Sequence, residues 1–148
     1  MRFSVEAVCV SAAKGTPKRE VAEIVLVTDE GVRGDAHAGG GPRQVSFLAG
    51  EDVDGLRAEG LTLAAGAFGE NIVTRGIDWT SVELGGRIEI GDAALEVTQI
   101  GKDCHTPCAI YRAAGRCIMP DRGVFARVVK GGTIHAGHRG HYRLGQGI

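Results

Sequence analysis

The chain has 148 residues, a formal net charge of −1, 43% hydrophobic and 24% charged residues, which fits one soluble globular domain long enough to bury a core without staples. That balance gives no whole-chain reason to expect nucleic acid or membrane partners, and no apolar run approaches the roughly 20 residues a membrane span needs. Glycine, with 24 residues, stands at about twice its usual share and shows no period, which indicates tight turns between short strands.

Met1 to Glu6 lacks the apolar core of a secretory signal, so a cytoplasmic location with reduced thiols is expected. Phe3 to Ser11 is β-branched and roughly alternating, and predicts a first strand; Glu20 to Thr28 predicts a second. Lys14 to Arg19 between them reads as a loop with exposed charges. The apolar run Val25 to Val27 predicts a strand covered on both faces.

Gly31 to Pro42 holds five glycines and a proline in 12 residues, yet carries Arg33, Asp35 and His37. Such a stretch is a flexible linker or a ligand-binding surface, and the charged set favours the second. It matches neither nucleotide-binding glycine motif and lacks the carboxylates of a calcium loop.

Arg43 to Leu48 predicts a short strand leading into a helix from Gly50 to Glu59, with Val53 and Leu56 on its apolar stripe and Gly60 as the residue that ends it. Glu51, Asp52 and Asp54 suit the positive end of that helix and are read as structural. Gly66 to Gly76 predicts another strand with Glu70 and Asn71 at its entry, and Gly85 to Ile100 a hairpin turning at Gly91-Asp92.

Three of the four cysteines, Cys104, Cys108 and Cys117, follow that hairpin. From Ile100 to Lys130 six cations stand against two carboxylates, a net of +4, which favours thiolate sulfur and an anionic ligand. Thr106 and Pro107 predict the start of a helix running to Ala114, placing Cys108 in its first turn, where backbone N–H groups stabilise a thiolate. Zinc is the rival reading, on Cys104, Cys108 and Cys117 with a histidine, as a non-enzymatic interaction module; the spacing lacks a second knuckle. His135, His138 and His141 recur every three residues, which on a strand alternates faces and reads as a solvated polar tail. Few aromatics interleave with the basic residues, against nucleic-acid binding. With Gly123 to His141 read as a short amphipathic segment, a glycine turn and a last strand, the expected fold is mainly β, a single β-barrel-like domain with a few short helices.

Gly34-Asp-Ala-His-Ala-Gly39, Arg43-Gln-Val45, Gly69-Glu-Asn71 with Gly76-Ile-Asp78, Gly101 to Cys108 and Gly123 to Gly132 together resemble the MOSC domain, named for the C-terminal domain of molybdenum cofactor sulfurase, in a small stand-alone bacterial form. The resemblance implies a β-barrel, binding of the molybdenum cofactor (molybdopterin), and a cysteine that carries sulfur or ligates molybdenum, which falls on Cys108. It assigns cofactor binding to Asp35, His37, Arg43, Gln44, Glu70 and Asn71, and the cationic donor Lys102 suits the same phosphate-bearing pterin. A carrier in cofactor maturation or a small molybdoenzyme would both fit, since some stand-alone relatives reduce N-hydroxylated compounds. Implied partners are a cysteine desulfurase, a pyridoxal-phosphate enzyme, as sulfur donor, and a molybdoenzyme or reductase. Many relatives carry an acidic residue in the final glycine turn, where this chain has His138.

Overall fold

The computed structural model describes residues 1–101 and 117–144. The chain begins with β1 (Arg2–Val10), β2 (Arg19–Val21), β3 (Glu23–Val27) and β4 (Gly31–Val32), then β5 (Val45–Ala49), which leads directly into α1 (Gly50–Ala58). After β6 (Ile72–Arg75) and a 3₁₀ turn at Trp79–Ser81 come the hairpin β7 (Arg87–Ile90) and β8 (Ala93–Ile100). The short α2 (Met119–Arg122) precedes β9 (Val124–Lys130), β10 (Gly132–His135) and β11 (Arg139–Arg143).

Seven of these strands close into a barrel in the order β11, β7, β8, β9, β5, β6, β1, with β1 pairing back onto β11. Closure leaves no open edge in the ring. Every pair is antiparallel except β5 with β6, and that exception follows from α1, whose crossover returns the chain to the same end. Beyond the three residues of β1 that face β11, its last three pair with β2, so β1 runs past the ring at that end. A second sheet, β10–β3–β4, packs Ile24, Leu26, Val32 and Ile134 against the barrel core.

Strand alternation divides the core. Val45, Phe47 and Ala49 of β5 point into the barrel with Phe3, Trp79, Ile88, Leu95 and Tyr142, while Leu48 points out to a second cluster with Val53, Leu56, Phe68 and Phe125 beneath α1. Thus β5, not the Val25–Val27 run, is the strand covered on both faces. In β3 only Ile24 and Leu26 are buried, because none of the described residues fully covers the outer side of the small sheet at Val25 and Val27, which stay half-buried. The expected Glu20–Thr28 strand is also split at Ala22, so that one part pairs with β1 and the other with β10. His135, His138 and His141 do not share a strand: His138 lies in the turn before β11, its ring stacked 3.8 Å from that of His135. Among the described residues, no helix is long and apolar enough to cross a membrane.

Candidate functional site

The glycine-rich loop after β4 is tied to the barrel by one buried carboxylate. Asp35 Oδ1 accepts hydrogen bonds from the Ser11 backbone N–H at 3.0 Å and the Lys18 ammonium at 2.9 Å, while Oδ2 accepts from the His37 N–H at 3.1 Å. The Lys18 and Asp35 side chains are 1% and 0% exposed, so this is a buried ion pair whose desolvation is offset by hydrogen bonds on both partners. Burial pushes the Asp35 carboxyl up, but the Lys18 ammonium and the backbone N–H groups of Ser11 and His37 outweigh it and hold the group well below the usual carboxylate range.

Lys18 was expected on an exposed loop; the structure buries it instead. An ammonium has three donors and no acceptor, and here they go to Asp35, to Ser11 Oγ at 3.2 Å and to His37 Nδ1 at 3.2 Å. Asp35 Oδ2 also approaches Nδ1, but at 3.6 Å, outside hydrogen-bond length. The network therefore assigns His37 Nδ1 as an acceptor and leaves the ring proton on Nε2. His37 is the partly exposed member of the group, at 24% of its side chain.

His37 opens onto a cleft of about 540 Å3, lined also by Lys14, the backbone of Gly39, Gly40 and Gly41, Arg43 and Gln99. A Cβ placed on any of these three glycines would meet nothing within 4 Å, so their backbones face open space. Arg43 is oriented from behind: its Nε donates to Gln99 Oε1 at 3.0 Å and its guanidinium stands 5.6 Å over the Phe125 ring. Gln99 in turn donates to the Gly101 carbonyl at 3.0 Å, at the end of β8.

Gln44, Glu70 and Asn71 stand differently, all buried with their polar atoms turned to the protein. Gln44 Oε1 accepts from Val128 N–H at 2.9 Å, linking the loop to β9. Glu70 accepts from Gly66 N–H and Phe68 N–H, each at 3.0 Å, and burial pushes its carboxyl up to about 7 despite those bonds. Asn71 accepts from Ser46 N–H at 3.0 Å and donates to the Cys9 carbonyl at 3.1 Å.

These contacts lead back to the cleft. Gly66, braced by Glu70, accepts the Lys18 backbone N–H at 2.8 Å, and its φ of +87° with only 2.1 Å from a would-be Cβ to the Lys18 carbonyl admits no side chain. Asn71 pins the end of β1 at Cys9, two residues before Ser11, which holds Asp35. The Glu70–Asn71 turn thus supports the Lys18–Asp35–His37 network at one remove. Cys9 itself is inert: burial, then the Glu70 and Glu20 carboxylates, push its thiol up to about 12.

Lys102, Cys104, His105 and Cys108, with the expected helix from Pro107, lie outside the described residues. Cys117 is half-buried and packs against the cluster beneath α1. Among the described residues no group of three or more His, Cys, Asp or Glu is arranged to hold a metal. Sequence reasoning missed Lys18, Ser11 and Gln99; no spacing signals them, because Lys18 and Asp35 are 17 residues apart and Gln99 and Arg43 are 56 apart.

A model of the MOSC domain matches residues 34–139. Among solved structures, the YuaD protein from Bacillus subtilis superposes with a TM-score of 0.79 at 20% identity, covering 99% of this chain and 98% of that one. YiiM from Geobacillus stearothermophilus gives 0.69 at 20% identity over 96% of this chain and 74% of its own. YiiM from Escherichia coli gives 0.68 at 23% identity over 97% and 70%. These likenesses concern the fold. A comparison with curated protein sequences gives no match.

Proposed function

Because the chain belongs to the MOSC domain family, which is associated with molybdenum cofactor binding and sulfuration, we propose that it binds this cofactor in the cleft beside the 34–43 loop, with Cys108 as sulfur carrier or molybdenum ligand. The observation that carries the reading is the buried Lys18–Asp35 pair, which is costly to desolvate and holds His37 with its Nε2–H toward a cleft walled by bare glycine backbone and Arg43. The donor set fits a phosphate-bearing pterin: a guanidinium for the phosphate, an imidazole N–H, and bare glycine backbone at Gly39, Gly40 and Gly41 where a side chain would otherwise fill the space.

In this reading His37 and Arg43 bind and orient, and Asp35 holds His37. Gln44, Glu70 and Asn71 position the walls at one remove instead of touching the ligand. The stretch holding Lys102 and Cys108 follows directly in sequence on Gln99 and Gly101, where β8 reaches the cleft, so Lys102 is assigned to the phosphate and Cys108 to the soft metal or to sulfur. When bound, the cofactor would supply a redox-active metal with a transferable sulfur position. A cysteine desulfurase is the proposed sulfur donor, and a molybdoenzyme or reductase the proposed partner downstream.

The test is elemental mass spectrometry with pterin fluorescence after oxidation, on untagged protein from cells that make the cofactor. Molybdenum and pterin near one per chain, lost in Arg43→Ala and Cys108→Ser, is the expected result. Stoichiometric zinc without pterin would instead assign the cysteine stretch to a structural zinc site and overturn the reading.

A further inference from the structure

The outer wall of the barrel carries a second feature that the cofactor reading does not use. Because strand side chains alternate, Phe3 and Tyr142 point inward and are buried, while Arg2 and Ser4 of β1 and Arg139 and His141 of β11 point outward. Register sets Arg2 opposite His141, and places Ser4 between Arg139 on one side and Arg75 on the other. Arg139, two residues from His141 on β11, therefore stands diagonal to Arg2 across the pair, about 7–8 Å away, where two guanidiniums still repel. Folding alone gains nothing from gathering them in this way.

Neighbouring arginines on the same wall are neutralised internally. Arg75 has Glu6 at 2.7 Å, Arg127 has Glu96 at 3.2 Å and Arg143 has Glu89 at 3.3 Å. Among the described residues, none supplies a carboxylate within ion-pair distance of Arg2, Arg139 or His141. Glu89, the one carboxylate lining the same space, is engaged by Arg143 and approached by Arg87 at 3.8 Å. Between these side chains lies a groove of about 700 Å3, larger than the 540 Å3 cleft at His37, left open by the small residues Ser4, Gly91 and Gly137.

We propose that this groove is a second binding site, for a phosphate-bearing small molecule, with Arg2 and Arg139 as its charged jaws. A planar guanidinium matches two phosphate oxygens at once, and two unopposed guanidiniums match a dianion. The volume exceeds what a single phosphate ion fills and falls in the range that accommodates a small organic ligand, which points to a diphosphate or a phosphate ester. A single-stranded nucleic acid is disfavoured, because the aromatic residues here, Phe3 and Tyr142, face inward and offer no stacking surface. The groove is separate from the proposed cofactor cleft: Arg2 starts β1 and Ser11 follows its other end, about 25 Å away at the usual rise per residue.

The test is titration of the purified full chain with inorganic pyrophosphate, followed by calorimetry at low ionic strength. Saturable one-to-one binding in the submillimolar range is expected, weakened at least tenfold in Arg2→Ala and in Arg139→Ala, and only partly restored by Arg139→Lys, which keeps the charge but loses the fork. Arg127→Ala removes the same charge from the wall outside the groove and should change affinity less than twofold. Adenosine 5′-diphosphate distinguishes the ligand's source: affinity equal to pyrophosphate assigns a free diphosphate, and affinity tenfold tighter assigns an ester whose body occupies the groove. No saturation by 10 mM pyrophosphate, or an equal loss in Arg127→Ala and Arg139→Ala, overturns the proposal. Neither result depends on molybdenum or pterin content.

Discussion

In the 34–43 loop a buried carboxylate, Asp35, is met by a buried ammonium, whereas in the 66–71 turn a more deeply buried carboxylate, Glu70, accepts hydrogen bonds only from backbone N–H groups. The consequence is opposite in sign: Asp35 is held well below the usual range, and Glu70 is pushed up to about 7. Burial raises both, more strongly at Glu70, and hydrogen bonds from the Lys18 ammonium and the backbone reverse the outcome at Asp35. The loop keeps a fixed charge pair that orients His37 at an open cleft, while the turn has no exposed polar member and braces Gly66 and the end of β1. Similar residue types thus serve a surface in one place and a frame in the other.

The comparison breaks most sharply at Lys18. Lys18→Met strands Asp35 as an unpaired buried charge, and the expected loss is about 4 kcal/mol in urea unfolding. Lys18→Met with Asp35→Leu should recover at least half of it, since both charges are then gone. Nitrogen-15 spectra of the imidazole give a second readout: wild type should carry the His37 proton on Nε2, and Lys18→Met should move it to Nδ1, toward Asp35 Oδ2. A wild-type ring already protonated on Nδ1 would refute the assignment.

Glu70 sets the next largest effect, through pH. Its folded value of about 7 lies above the ordinary glutamate value of 4.5, so between these pH values the native state holds a proton that the unfolded chain has released. Stability from this group is present below pH 4.5 and falls as pH rises to 7, by about 3 kcal/mol in all. Glu70→Gln should flatten that slope, at the cost of turning one amide donor toward a backbone N–H. An unchanged slope between pH 5 and 7 would show that Glu70 is ionised throughout and that another group titrates.

Much of the fold was legible because its signals are local. The Gly91–Asp92 hairpin turn, the start of α1 at Gly50 and the end of that helix before Gly60 depend on residues within a few positions of each other, and they fall where alternation and turn chemistry put them. The exposure of Val25 and Val27 was not legible, since a valine run looks alike whether a second layer covers it or not. The site divides along the same line. Asp35, His37 and Arg43 belong to one glycine-rich loop, from which His37 and Arg43 reach one cleft, but whether Gln44, Glu70 and Asn71 face a ligand or a backbone depends on partners such as Val128 and Cys9, which are 84 and 62 residues away. Lys18 carried no mark of burial, because its neighbours Pro17 and Arg19 are exposed.

Asn71 sharpens the comparison with a smaller effect. Asn71→Ala removes the partner of the Cys9 carbonyl and of the Ser46 N–H, both buried, for an expected loss of about 2 kcal/mol. If the turn acts through the loop, hydrogen exchange of the Ser11 amide, which donates to Asp35, should accelerate together with that of Cys9. Faster exchange at Cys9 with Ser11 unchanged would separate the two regions and leave the turn as a local brace.

Arg43 should show the smallest stability effect and the largest functional one. Its guanidinium is half-buried, with one hydrogen bond to Gln99 and a ring contact with Phe125, interactions worth together about 1 kcal/mol. Arg43→Ala should therefore unfold within about 1 kcal/mol of wild type, yet fail to retain pterin after gel filtration, because the cleft loses the guanidinium proposed to meet the cofactor's phosphate. Arg43→Lys keeps a charge without the fork and should retain an intermediate amount. A frame residue would give the reverse pattern, with stability and retention falling in proportion, as expected for Asn71→Ala. Measured side by side, the two variants ask whether the loop meets a ligand directly while the turn acts only through the loop's geometry.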